Sequence, residues 1–131
     1  MSRRELREQI FKLLFRVEFN SLDDMSEQER MFFEEEDAAK GVDADYISDK
    51  YHKIERKLPE IDEQLNERAE GWNTARMGKV DLTILRLAVY EINYDETVPT
   101  SVAINEAVEL AKKFGQDASS GFVNGILAKF A

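Results

Sequence analysis

Two apolar stretches near the carboxyl end of the chain constrain its fold more than any other feature. The first runs from about Asp81 to Tyr94 and the second from about Thr100 to Phe114. In both, apolar residues recur at helical spacing and cover most of the circumference, which predicts helices that are packed on several sides. No segment of the chain has the pattern of a strand. The sequence therefore predicts an all-α protein with these two helices at its centre.

The first helix is predicted from a start signal and from two apolar stripes. Ser2 and Glu5 form the Ser-x-x-Glu pattern of a capping box, which places the helix start there. One of its stripes consists of Phe11, Phe15 and Phe19, spaced four residues apart. Such a wide apolar surface predicts either one broad buried face or two faces covered by different neighbours.

Capping patterns, a glycine and a proline predict the ends of the middle helices. Ser26 and Glu29 repeat the capping-box pattern, which predicts a second helix that ends at Gly41. Pro59 fits the first turn of a helix, so a third helix is expected to stop before it and a fourth to begin there.

The last two helices are predicted to join through a glycine turn. Gly115 occupies the position of a left-handed cap residue at the end of the 100–114 helix. Ser119 or Ser120 is expected to cap the final helix, which carries Phe122. The complete prediction is about seven helices.

Composition excludes several classes of protein. The length of 131 residues suits a single domain over 1–131. With no cysteine and only His52, the chain offers no disulfide, no zinc ligand set and no recognisable catalytic triad. We therefore expect a non-enzymatic protein without cofactor or metal. No apolar run has the length of a signal peptide core or a membrane span, so a soluble, cytoplasmic protein is expected.

Charge is distributed unevenly along a chain whose net charge is −9. Residues 1–16 carry a net charge of +3, whereas residues 17–49 carry −10. Because salt screens charges beyond about 8–10 Å, phosphate attraction is local. An acidic protein with a basic first helix can therefore still hold RNA along that edge.

Several short motifs occur along the chain in a distinctive order and spacing. An arginine-rich start with Arg7-Glu8 and Phe15 is followed, after a long middle segment, by Asp81, Leu85-Arg86 and Tyr90-Glu91. Then come Pro99, the helix Ile-Asn-Glu-Ala-Val-Glu-Leu-Ala-Lys, an aromatic-Gly pair and Phe-Val-Asn-Gly. In this order and spacing the chain resembles the NusB family of RNA-binding antitermination factors. The resemblance covers residues 3–18 and about 72–130, and the middle segment matches only in length and helical character.

This resemblance implies a fold of two packed helical bundles and a function in transcription antitermination. NusB proteins pair with NusE, a ribosomal small-subunit protein, and the pair binds the boxA element of nascent ribosomal RNA. The complex joins other Nus factors on RNA polymerase and suppresses premature termination.

Site residues follow from the resemblance by position. Contact with RNA is implied for Arg3, Arg4, Arg7, Lys12, Arg76, Arg86 and Phe122. Contact with NusE is implied for Phe15 and Asp81. The alternatives are an ordinary charged helix face for the basic residues, a carboxylate partner for Arg86, and core packing for the two phenylalanines.

Two departures from the family pattern predict weaker intrinsic RNA affinity. Glu5 stands where many members continue the basic run, and the turn 115–121 lacks the Lys or Arg that often precedes Phe-Val-Asn-Gly. Both predict greater reliance on NusE. A different reading of the chain is a helical protein-protein interaction module without an RNA role.

Overall fold

The computed structural model describes all 131 residues, and every regular element in it is a helix. The α-helices are α1 Arg3–Phe15, α2 Met25–Glu34, α3 Gly41–Arg68, α4 Lys79–Tyr94, α5 Thr100–Phe114 and α6 Ser119–Leu127. Short 3₁₀ turns cover Arg16–Glu18, Leu22–Asp24, Thr74–Arg76 and Ala128–Phe130. The prediction of an all-α fold is thus confirmed.

The chain divides into two compact units, of which the first is Met1–Glu55. It contains α1, α2 and the first half of α3. Its buried apolar side chains include Leu13 and Leu14 of α1, Phe32 of α2 and Ile47 of α3. The α1 helix starts with the predicted capping box, because Ser2 accepts from the Glu5 N–H at 3.1 Å and Glu5 accepts from the Ser2 N–H at 3.0 Å.

The second unit is Arg56–Ala131. Here α4, α5 and α6 pack against one another. All ten residues from Leu82 to Glu91 are buried, which confirms that α4 is a central helix. The observed bounds of α5 coincide with the predicted stretch from Thr100 to Phe114.

A continuous α3 replaces the predicted third and fourth helices, so the assignment of Pro59 to a first turn is wrong. An interior proline has no N–H to donate to the carbonyl four residues earlier, here that of Glu55, and costs about 3 kcal/mol. The helix continues because its apolar residues on either side are buried, with Ile54 and Ile61 both fully inaccessible. Burial therefore outweighs the local preference of the proline.

The predicted ends of α2 are also wrong. Ser26 does not cap the helix, which begins one residue earlier, at Met25. Glu29 accepts a hydrogen bond from the Ser48 hydroxyl at 2.5 Å instead of reaching back to a helix start. Gly41, with a φ of 59°, opens α3 rather than closing α2.

Gly115 is needed for a close approach and not for a left-handed conformation. Its φ of −93° is open to any residue, so the predicted left-handed cap is wrong. A Cβ at this position would lie 2.5 Å from the Ser119 Cβ and 2.7 Å from the Ala111 carbonyl oxygen. Ser119 is the first residue of α6 rather than its N-cap, and its hydroxyl accepts from the Gln116 N–H at 3.0 Å.

Replacing Gly115 with alanine should therefore lower the free energy of unfolding by about 1–3 kcal/mol, because the added methyl overpacks the turn. Gly125, inside α6, is the matched control, since nothing lies within 4 Å of a Cβ placed there. Gly125→Ala should raise the free energy of unfolding by about 0.5–1 kcal/mol through helix propensity. Urea denaturation measures both changes, and equal effects of the two substitutions would contradict the close approach.

None of the six α-helices combines the length and the apolar character that crossing a lipid bilayer requires.

Candidate nucleic-acid interface

The amino end of α1 presents the basic residues that the sequence singled out. Arg3, Arg4 and Lys12 are exposed, whereas Arg7 is only 9% exposed. Arg4, Arg7 and Lys12 each already interact with another group of the protein. Arg3 and Arg4 thus occupy consecutive exposed positions in the first turn of α1.

Glu5, which interrupts this basic run, has a clear structural role. Its carboxylate closes the capping box and lies near the positive end of the α1 dipole, where a negative charge is favourable. A Lys or Arg at this position would lose both interactions. The departure from the family pattern is thus explained by the stability of the helix start.

Arg16, the fifth basic residue of the first segment, is held inside the first unit. Its guanidinium donates to the Gln28 carbonyl at 3.1 Å and to Glu35 at 3.3 Å, and it lies 5.2 Å from the centre of the Phe32 ring. These contacts join the end of α1 to α2. Arg16 therefore contributes to packing rather than to an open cationic surface.

The three phenylalanines of α1 and the turn after it become progressively less buried along the chain. Phe11 is 3% exposed, Phe15 is half-buried and Phe19 is 60% exposed. The Phe11 and Phe15 ring centres are 5.9 Å apart, and those of Phe15 and Phe19 are 5.1 Å apart. Leu22 is also 53% exposed. Phe15 is thus at the edge of an apolar surface whose most exposed member is Phe19, a residue that the sequence indicated as part of a stripe but not as a candidate contact.

Asp81, the other residue implied in partner binding, lies in the first turn of α4 in the second unit. Its side chain is half-buried. A carboxylate there interacts favourably with the helix dipole. The position therefore has a stabilising role whether or not a partner binds.

In the second unit, Arg76 and Phe122 are brought together by a residue that sequence reasoning did not select. Trp72 lies between them, with its ring centre 5.2 Å from that of Phe122 at an interplanar angle of 74°. The Arg76 guanidinium lies 5.8 Å from the Trp72 ring centre. Trp72 is 47% exposed, Arg76 is exposed and Phe122 is half-buried. We call these three residues the aromatic–arginine cluster.

Arg86 is arranged differently from the other basic residues. It donates from Nε to one carboxylate oxygen of Asp62 at 2.9 Å and from a terminal nitrogen to the other at 2.8 Å. Arg86 is 9% exposed, so this two-bonded pair is largely shielded from solvent. The pair joins α4 to the second half of α3, which corresponds to the alternative of a carboxylate partner.

The single histidine and a buried tyrosine lie in a carboxylate-rich part of the first unit. His52 Nε2 is 2.7 Å from a carboxylate oxygen of Glu29, which also accepts from Ser48. Burial, together with the negative charges of Glu55 and Glu29, raises the pKa of the Tyr51 hydroxyl. No group of three histidine, cysteine or carboxylate side chains is arranged as a metal site.

The NusB family model matches residues 4–131. A transcription antitermination protein NusB from Agathobacter rectalis is 49% identical over 131 residues, which is the full length of both chains. A protein of the same name from Lachnoclostridium phytofermentans is 50% identical over 129 residues, covering 98% of each chain.

Solved structures give the same relationship. NusB of T. maritima is 34% identical with a TM-score of 0.84, covering all of this chain and 91% of the other. A structure of antitermination factors NusB and NusE in complex with double-stranded RNA has a TM-score of 0.84 at 23% identity, covering 98% and 94%. At that identity the second likeness concerns the fold alone.

Proposed function

The chain belongs to the NusB family, and we propose that it acts with NusE to bind the boxA element of nascent ribosomal RNA. In this role it joins other Nus factors on RNA polymerase and suppresses premature termination. Its contribution is binding without catalysis, and its place of action is the cytoplasm, where transcripts are made. Residues 1–131 act as one domain, since α3 supplies residues to both compact units.

The observation that carries this proposal is the pair of exposed arginines in the first turn of α1. The chain as a whole is acidic, yet Arg3 and Arg4 are both exposed at the start of a helix, and Arg4 also interacts with another group of the protein. Positive charge at this end opposes the helix dipole and costs a few tenths of a kcal/mol. A phosphate ligand would offset that cost, because a guanidinium can donate two hydrogen bonds to phosphate oxygens.

Lys12 and Arg7 contribute in different ways. Lys12 is exposed on α1 and extends the positive charge along the helix. Arg7 is nearly buried, so its charge raises the electrostatic potential of the surface above it, but its guanidinium is poorly placed to bond a phosphate directly. RNA would compete with the existing intramolecular contacts of both residues.

The aromatic–arginine cluster supports recognition of unpaired RNA in particular. Exposed aromatic rings and guanidinium planes are the groups on which unstacked bases lie. Arg76 and Phe122 supply these groups together with Trp72. Arg86 could reach a phosphate only by giving up its pair with Asp62, so we assign it to holding α4 in place.

A surface for NusE is supported by the exposed apolar residues that follow Phe15 and by the negative charge of the segment after α1. Phe15 contacts the ring of the exposed Phe19, and Leu22 is exposed a few residues further along the chain. Residues 17–49 carry a net charge of −10. An apolar contact with an acidic rim suits a basic partner such as a ribosomal protein. Asp81, which lies in the second unit, is proposed as a separate contact.

The proposal is tested by a gel-shift titration of a boxA RNA with the chain alone and with NusE. We expect NusE to raise the affinity for RNA, because the run of basic residues is interrupted at Glu5 and the turn 115–121 before Phe122 contains no Lys or Arg. Equal affinity with and without NusE would contradict this dependence.

A salt titration separates RNA binding from the alternative of a protein-binding module. If about three cations of α1 contact phosphates, the logarithm of the association constant should fall by about two for each tenfold rise in salt. Undetectable RNA binding at low salt, with NusE binding retained, would favour the protein-binding module.

A further inference from the structure

We propose that Trp72 is the platform on which an unpaired RNA base stacks, so that this residue makes the protein prefer single-stranded over double-stranded RNA. The inference rests on the proposed RNA-binding function and adds a residue that the motifs did not select. It is drawn from the exposure of the indole, the turn that holds it and the two groups that flank it.

The indole of Trp72 is exposed on a well-held turn. Gly71 has a φ of 78°, a left-handed conformation that glycine adopts without steric cost. The Trp72 N–H donates to the Ala69 carbonyl at 2.8 Å, and the Thr74 N–H donates to the Asn66 side chain at 2.8 Å. These bonds hold the backbone at and after Trp72, so this residue, which is 47% exposed, is presented on an ordered turn.

The groups beside Trp72 fit a nucleotide better than an apolar peptide. Phe122 contacts the indole at an interplanar angle of 74° and holds the orientation of the ring. Arg76 is exposed, and its guanidinium lies over the indole at 5.8 Å from the ring centre, which supplies a positive charge close to a stacked nucleotide. An aromatic face and an adjacent guanidinium are the two groups that single-stranded RNA uses most.

Stacking on Trp72 requires a base whose face is free. In an A-form duplex both faces of each internal base are covered by neighbouring bases, and proteins contact mainly phosphates and 2′-hydroxyls. Arg3 and Arg4 can attract the phosphates of either form. Trp72 would therefore add affinity for unpaired RNA alone.

Intrinsic tryptophan fluorescence measures this contact directly, because Trp72 is the only tryptophan of the chain. The probes are a single-stranded RNA of roughly ten nucleotides and the same strand annealed to its complement. We expect the single strand to quench the intrinsic fluorescence of the wild-type protein in a saturable manner, whereas the duplex binds without quenching. Quenching that is equal for both forms would overturn the proposal.

Variants test the contribution to affinity. Trp72→Ala should weaken binding of the single strand by about 5- to 150-fold and leave binding of the duplex unchanged. Trp72→Phe, which keeps an aromatic face, should lose less. Tyr46→Ala is the matched control, since Tyr46 is 45% exposed and also has a cation over its ring, that of Lys50 at 5.9 Å.

The outcomes distinguish this inference from the proposed function. If neither RNA binds the wild-type protein, with or without NusE, the proposed function fails. If the single strand binds but leaves the fluorescence unchanged, and Trp72→Ala binds as well as wild type, only the role of Trp72 fails. Should Trp72→Ala unfold, the wild-type fluorescence and the Trp72→Phe affinity decide the question.

Discussion

Replacing Arg3 and Arg4 together with glutamate is expected to weaken binding of a boxA RNA by about 100-fold or more, since each lost charged hydrogen bond is worth about 1.5–3 kcal/mol. The melting temperature should stay the same or rise slightly, because acidic residues in the first turn of α1 interact favourably with the helix dipole. Fluorescence anisotropy of a labelled RNA measures the affinity, and thermal unfolding followed by circular dichroism measures stability. Loss of binding could then not be attributed to unfolding.

The matched control reverses the charge of two exposed lysines of α3 that are remote from the start of α1. Lys53→Glu with Lys57→Glu changes the net charge by the same amount, and both residues are exposed. They lie roughly 15 and 21 Å along α3 from Asp43, which bonds the amino terminus beside α1. We expect this variant to bind RNA nearly as well as wild type, because charges at such distances are screened. Similar losses in the two variants would mean that overall charge, and not the start of α1, governs binding. Arg7 is unsuitable for this test, because a glutamate at a 9% exposed position would also destabilise the fold.

Replacing Leu87 with alanine is expected to lower the free energy of unfolding by about 2–5 kcal/mol. Leu87 lies on α4, where ten consecutive residues are buried, and is itself 1% exposed. Truncation loses its apolar burial and leaves a cavity in a helix that has neighbours on several sides. Urea denaturation measures the change, and a single transition is expected if residues 1–131 fold as one domain.

Val102→Ala is the control for Leu87→Ala. Val102 lies on α5 of the same unit and is 42% exposed, so its truncation should change the free energy of unfolding by no more than about 0.5 kcal/mol. A loss below about 1 kcal/mol for Leu87→Ala would show that α4 is not tightly packed around this residue. RNA affinity of the folded fraction should be close to that of wild type.

The sequence predicted best where burial and local signals agree. The bounds of α5 and the capping box of α1 were predicted correctly, because their periodicity and end residues are strong and point to the same structure. Pro59 shows the opposite case, since burial along α3 overrides a local signal for a new helix. At Gly115 the need for glycine was predicted correctly, but the reason was wrong. The reason is the close approach of Ser119 and Ala111, which the sequence does not reveal.

The candidate site was predicted in part. Exposure of Arg3, Arg4 and Arg76 agrees with their proposed roles, but charge alone could not separate them from Arg86, whose partner Asp62 is 24 residues away in sequence. Trp72 was not among the candidate residues selected from the sequence. Its proximity to Phe122 depends on how distant segments meet, for which a single sequence carries no signal. The one available hint was that an aromatic residue follows a turn glycine.

The Arg86–Asp62 pair has a consequence for genetics. Losing either partner would leave the other as an uncompensated charge in a mostly shielded position. The packing of α4 against α3 would then be less stable. A loss-of-function screen would therefore recover Arg86 alleles beside those of Arg3 and Arg4, although only the latter touch the transcript in our proposal. Alleles of the two kinds would differ in temperature sensitivity, with the Arg86 class failing first as growth temperature rises.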